Sequence, residues 1–170
     1  MRIESMQDLF LEQIRDLYDA EERLIKVLPK MAEAATSSEL RSALEDHLEQ
    51  TRGQLRRLEQ CFAEIGEEPK AETCEAMKGL ISEGEDLVDD IKQSYLRDAG
   101  MIAACNRVEH YEMAGYGTAR TMAQTLGLTR SVDLLQKTLD EEKQADAKLT
   151  MIAEQSVNPQ AMKGGVRTAR

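Results

Sequence analysis

An all-α protein is predicted by three observations. Ala, Leu, Glu, Lys, Arg, Gln and Met, the residues that lose least freedom in a helix, dominate the chain. Of its 170 residues only three are proline and none is tryptophan. Apolar residues recur at spacings of three and four through four long segments, which is one face of a helix repeated. A four-helix bundle with a long crossover between the second and third helices, itself containing short helical segments, accommodates this pattern.

The first helix starts near Ser5, with Asp8 three residues on as a variant capping box, and runs through Phe10, Ile14, Leu17, Leu24, Ile25, Leu28 and Met31. Pro29 lacks an amide donor and crowds the carbonyl of Ile25, which predicts a kink. The second helix follows Thr36, has Glu39 at the capping-box position, carries Leu40, Leu44, Leu48, Leu55, Leu58, Phe62 and Ile65, and stops at Gly66. From Gly66 to about Tyr95 the pattern weakens to Met77, Leu80, Ile81, Leu87, Val88 and Ile91. That is too long for a hairpin turn and long enough to cross the length of a bundle whose second and third helices run parallel.

The third helix covers roughly Tyr95 to Leu126 and stops at Gly127. The fourth covers roughly Arg130 to Ser156, with Pro159 as its stop. Residues 1–157 are thus expected to form the bundle and residues 158–170, with Lys163, Arg167 and Arg170, a flexible basic tail.

With 41% hydrophobic and 32% charged residues the chain has the composition of one globular domain. The formal charge of -10 repels nucleic acid and anionic lipid, so neither is an expected partner. No apolar run approaches the roughly 20 residues of a membrane span, and the opening Met1-Arg2-Ile3-Glu4-Ser5 has no signal-peptide core, which predicts a cytoplasmic protein. Cys61, Cys74 and Cys105 are odd in number and lack a CxxC spacing, which argues for packing cysteines.

The chemistry lies in carboxylates that fall on apolar stripes. At 100° per residue, Glu21 lies within about 10° of the mean direction of Ile14, Leu17, Leu24, Ile25 and Leu28. Glu109 follows the direction of Ile102, Cys105, Met113 and Tyr116, and Glu112 sits one turn on, about 60° to one side. Glu142 is in line with Leu135 and Leu149, with Asp146 about 40° aside; Glu141 faces out. The second helix offers no inward acid. Its inward polar group is His47, with Thr51 one turn on and Gln54 nearer the rim.

An isolated ionised carboxylate in a dry interior costs more than a domain's whole net stability, so it protonates, pairs or binds a cation. Lys26, Arg107, Lys143 and Arg23 point off the stripes, and five acids are too many to neutralise by mutual pKa elevation. Two divalent ions would offset most of this charge. Oxygen donors with one imidazole suit iron, or alternatively manganese. Glu21, His47, Glu109, Glu112, Glu142 and Asp146 are the candidate ligands. The competing reading is a hydrogen-bonded polar layer that sets helix register. His110, about 100° from Glu109, reads as a boundary histidine, and Tyr18 and Tyr116 as core aromatics able to donate to a ligating carboxylate. Ala104, Val108, Tyr111, Gly115, Thr118 and Met122 form a further stripe on the third helix, to be covered by the crossover segment or by a second subunit. From it a homodimer is expected.

The stretches Leu17-Tyr18-Asp19-Ala20-Glu21, Leu28-Pro29-Lys30-Met31, the run from His47 to Gln54, the run from Arg107 to Arg120 and the run from Leu139 to Asp146 resemble the YciE/YciF family of ferritin-like, stress-associated bacterial proteins. The resemblance, which extends to about residue 155, implies a ferritin-like four-helix bundle related to rubrerythrin, dimer formation and a di-metal site. Glu109 and Glu112 are similar to the paired glutamates of rubrerythrin's third helix. Ferritin-like di-iron proteins usually offer Glu-x-x-His on the second and fourth helices, whereas here the second gives His47 alone and the fourth Glu142 with Asp146. The functions compatible with this set are a di-metal protein reacting with oxygen or peroxide, and a non-enzymatic stress or interaction protein whose metal is structural or sequesters iron.

Overall fold

The computed structural model describes residues 2–164, and every regular element among them is helical: α1 Met6–Ala34, α2 Ser38–Glu64, α3 Glu75–Asp90, α4 Tyr95–Leu126, α5 Thr129–Ile152, a π-helical turn Ala153–Val157, and α6 Asn158–Gly164. No described helix is long and apolar enough to cross a membrane.

The helix ends follow local chemistry. Ser5 caps α1 by accepting the Asp8 amide at 3.1 Å, while the Asp8 carboxylate returns to the Ser5 hydroxyl at 2.7 Å. Gly66 at φ 74° and Gly127 at φ 73° close α2 and α4 in the left-handed conformation that a Cβ disfavours. At each of these ends two amides return to the last turn: Glu67 to Phe62 and Gly66 to Ala63, then Leu128 to Ala123 and Gly127 to Gln124. Two boundaries differ from expectation. The cap of α2 is Ser37 rather than Thr36, its hydroxyl accepting from the Leu40 amide at 3.3 Å. Helix α1 remains helical through Pro29, whose side is exposed. Pro159 does not end the last helix: the π turn immediately before it supplies the local rewinding that a residue without N–H requires, and the chain continues as α6. Lys163 of the expected basic tail therefore lies in α6, while residues 165–170 lie outside the described residues.

Helices α1, α2, α5 and α4 pack in a closed ring, α1 on α2, α2 on α5, α5 on α4 and α4 on α1, with α3 laid against α4 and α1. Two apolar cores fill the ring. One contains Leu24, Leu28, Leu40, Leu44, Met101, Cys105 and Leu149; the other contains Phe10, Ile14, Leu58, Phe62, Tyr116 and Leu135. Chain order across these cores gives direction, because α2 and α4 pass from the first core to the second while α1 and α5 pass the other way. Parallel α2 and α4 require the 67–94 crossover, and α3 is its helical part. Between the cores, the same four helices contribute Glu21, His47, Thr51, Gln54, Glu109, Glu112 and Glu142, all buried. The polar residues thus form one layer that divides the apolar interior.

Helix α3 also covers part of the second stripe on α4. Gly84 approaches closely enough that a Cβ there would stand 3.2 Å from the Ala104 Cβ. Cys74 caps α3, its Sγ accepting from the Met77 amide at 3.3 Å and lying 3.0 Å from the Tyr111 hydroxyl. The three cysteines are buried and unpaired. Burial pushes the Cys105 thiol up to about 12 and the Cys61 thiol up to about 11.

Candidate metal centre

Four buried side chains from three helices converge. His47 of α2, Glu109 and Glu112 of α4 and Glu142 of α5 each bring one ligand atom within 4.8 Å of all the others. Their position on the chain explains the convergence: each lies about midway along a helix, at the level where the two apolar cores part. The His47 Nε2 stands 3.3 Å from Glu109 Oε1, and its Nδ1 stands 3.4 Å from the Gln50 side-chain oxygen. With Nδ1–H donating to Gln50, Nε2 turns its lone pair toward the acids, the orientation a metal-ligating histidine needs.

Glu21 of α1 adjoins this group. It is fully buried and receives a hydrogen bond from the Tyr116 hydroxyl. Burial, followed by the charge of Glu142, holds its carboxyl well above the usual range. Burial raises Glu109 in the same way, helped by the neighbouring Glu142 carboxylate. Glu112 is raised by burial and then by Glu21, Glu142 and Glu109. Glu142 acts on all three other acids and is thus central to the group. Burial and mutual repulsion thus favour the protonated forms of Glu21, Glu109 and Glu112.

Asp146 is placed differently. It is half-buried one turn beyond Glu142, with Oδ1 3.4 Å from Nε2 of the exposed His110. It does not belong to the four-residue convergence. An offset of about 40° decides burial differently on different helices, since Glu112, with the larger offset of about 60°, is enclosed by α1 while Asp146 reaches the rim.

Two neighbours of the site and one buried acid elsewhere go beyond the sequence reading. Gln54, expected near the rim, is fully buried and donates its side-chain amide to Glu142. Arg57 grips Glu141 with two hydrogen bonds of 2.7 and 2.6 Å and donates to Thr138 at 2.9 Å. It is a cation on the border of the acidic layer, and its positive charge lowers the Glu21 carboxyl, partly opposing burial. Asp98 is a further buried acid, accepting from the amides of Thr36 at 2.9 Å and Ser37 at 2.6 Å. The i, i+3 spacing of Gln54 and Arg57 along the His47 face was the available signal for the first two. Tyr18 is half-buried against the second core, edge-on to Phe62 at 5.7 Å, with its hydroxyl 3.4 Å from Glu59.

The donor set fits a hard divalent cation. Glu21 Oε2, His47 Nε2, Glu109 Oε2, Glu142 Oε2 and both oxygens of Glu112 are buried without a hydrogen-bond partner among the described residues. Buried polar atoms in native proteins are nearly always satisfied, and here the orphaned atoms face one another. Oxygen-rich coordination with one imidazole is the chemistry of iron and manganese sites.

Helical rods around a buried cluster of one histidine and several glutamates able to hold a metal ion define the class of this protein. Residues 5–162 match the family described as a domain of unknown function, DUF892. The chain is 40% identical over 162 residues to protein YciF of Escherichia coli K12, a match covering 95% of this chain and 98% of that protein. It belongs to this YciF family. The crystal structure of the E. coli stress protein YciF superposes with a TM-score of 0.88 at 39% identity, over 92% of this chain and 99% of that one. YcfI from Rhodopseudomonas palustris superposes with a TM-score of 0.86 at 42% identity, over 89% and 96% of the two chains. A Xanthomonas campestris protein at 18% identity, TM-score 0.76, shares the fold.

Proposed function

We propose that this protein is a ferritin-like, carboxylate-bridged di-metal protein that holds two divalent ions, iron or manganese, and reacts with oxygen or peroxide during stress. The observation that carries this reading is the set of orphaned ligand atoms on His47, Glu109, Glu112 and Glu142, adjoined by Glu21. His47 and Glu109 would hold the ions at one side of the layer and Glu21 at the other, with Glu112 and Glu142 between them and Asp146 at the rim. The ions, when bound, supply Lewis acidity and two electrons. The chain supplies the rest: Gln50 orients His47, Gln54 and Tyr116 fix Glu142 and Glu21, and the two apolar cores restrict water. Carboxylates that change denticity open a position for a small oxidant at modest cost.

The test is anaerobic reconstitution with ferrous iron followed by peroxide. An absorbance change in the near ultraviolet with stoichiometric peroxide loss is expected; a loaded protein inert to peroxide would leave the second reading, a structural or iron-sequestering clamp. That reading is favoured by the complete burial of Glu112 and Glu142. The E. coli relative's description as a stress protein supports both. Association into a cytoplasmic homodimer belongs to the proposal, and a monomeric mass by light scattering at micromolar concentration counts against it.

A further inference from the structure

Two openings reach His47 and Glu109. Between α2 and α5 a groove of about 310 Å³ is edged by Asp46, Gln50, Gln144 and Lys148. Between α1, α3 and α4 a cleft of about 600 Å³ is lined by apolar side chains, among them Leu24, Leu28, Leu80, Ile81, Ala104 and Val108, and also by Arg97 and the exposed Lys30, Glu85, Asp86 and Asp89. The smaller groove, lined by its polar edge groups and by Ala43, Leu44, Ala145 and Leu149, admits water and ions. The larger cleft has the size of a site for a small organic molecule, about 300–1,000 Å³, and a lining in which apolar side chains predominate. Its only contacts with the acidic layer are His47 and Glu109, both over nine-tenths buried, with His47 Nε2 and Glu109 Oε2 lacking hydrogen-bond partners.

Hydrogen peroxide is small and polar and has no use for such a volume or lining. A molecule with an apolar body and one reactive polar head matches both ends. We infer that the cleft between α1, α3 and α4 admits an organic hydroperoxide, its hydrocarbon part against Leu80, Ile81 and Val108 and its peroxide group toward His47 and Glu109. The inference rests on the di-metal reading and specifies its substrate class. The reaction balances as ROOH with two protons and two electrons giving ROH and water: the O–O bond breaks and two O–H bonds form. Two ferrous ions, when held by the acidic layer, would supply the two electrons, and water in the smaller groove the two protons.

The test has two arms. The metal-free protein is titrated with 2-phenyl-2-propanol, the alcohol product of cumene hydroperoxide, and observed by methyl NMR. Saturable shifts confined to cleft methyls such as those of Leu80 and Val108 are expected, weakened about tenfold or more in Leu80→Trp, with Ala104→Phe as a second blocking variant. The ferrous-loaded protein is then mixed with cumene hydroperoxide or hydrogen peroxide. A preference of about tenfold or more for cumene hydroperoxide, reduced in the blocked variants at equal iron content, is expected from what apolar contacts can discriminate. An alcohol that does not bind in the cleft overturns the inference whatever the reactivity. Binding with a hydrogen peroxide preference unchanged by the variants also overturns it and leaves the di-metal reading standing, while inertness to both peroxides removes both.

Discussion

Two places in this molecule bury carboxylates completely, and they solve the problem in opposite ways. Asp98 sits where α4 meets the turn between α1 and α2, and its two oxygens accept the amides of Thr36 and Ser37. Those amides precede or begin α2, so the carboxylate also meets the positive end of that helix. Arg97 secures the same turn by donating to the Ala34 carbonyl at 2.5 Å, and Arg41 donates to Ala32 and Ala35 at 3.2 and 2.8 Å. This acid is consumed by structure. The glutamates of the central layer have only partial satisfaction: Tyr116 and Gln54 each donate one bond, and six ligand atoms on Glu21, His47, Glu109, Glu112 and Glu142 remain without one. Burial of an acid is therefore no signature of a metal; burial combined with mutual convergence and missing partners is.

The comparison is broken most severely by truncating each side. Asp98→Ala is expected to destabilise the protein by about 3 kcal/mol or more, since it removes two charge-assisted hydrogen bonds and orphans two amides at a helix start. Glu112→Leu is expected to do the reverse in the metal-free protein, raising stability by about 1–4 kcal/mol, because a desolvated acid gives way to an apolar side chain of similar size. Urea unfolding of the two variants checks both. A loss of stability in metal-free Glu112→Leu equal to that of Asp98→Ala would mean that the acidic layer is as well satisfied as the cap.

The pH dependence sharpens the difference. Glu21, Glu109 and Glu112 have folded values well above the ordinary 4.5. Above that value the unfolded chain has released its protons while the folded chain still holds them, so the contribution of these groups is fully present below the unfolded value and is lost as pH rises through the raised folded values. The metal-free protein should melt at higher temperature near about pH 5.5 than near about pH 8, and bound metal should reverse the trend by replacing the protons. A scanning calorimetry series with and without chelator reads this directly.

Smaller effects are expected one bond further out. Tyr116→Phe and Gln54→Leu each free a ligating carboxylate, which should weaken metal binding by about tenfold, or about 1.4 kcal/mol, with little change in the fold. Competition against a chromophoric chelator measures it. Gly115→Ala is the mildest: the added Cβ would stand 2.8 Å from the Leu17 Cδ2, a flexible side-chain end. It should cost about 1 kcal/mol by denaturant unfolding.

Much of this was legible in the sequence because helices have one strong period. Ser5, Gly66 and Gly127 mark their ends by chemistry internal to a few residues, and the facing of Glu21, Glu109 and Glu142 follows from 100° per residue. What escaped depends on neighbours. Asp98 looks like an ordinary first-turn acid of the third helix until the α1–α2 turn is brought to it. Gln54 is assigned to the rim by angle and Arg57 to no role, yet α5 closes over both and supplies Glu142, Thr138 and Glu141. Pro159 reads as a stop in isolation, but a π turn lets the helix pass. The coverage of Ala104 and Val108 was left between crossover and second subunit, and α3 covers them.

The central claim is that the acidic layer is incomplete without a cation. Its most direct test is thermal unfolding of chelator-treated protein against anaerobic additions of ferrous iron or manganese, beside Glu109→Leu. A saturable rise in melting temperature, corresponding to about 2.7 kcal/mol at one hundred times the dissociation constant, is predicted for the unmutated chain and its absence for the variant. A melting temperature unmoved by either ion in the unmutated protein would contradict it.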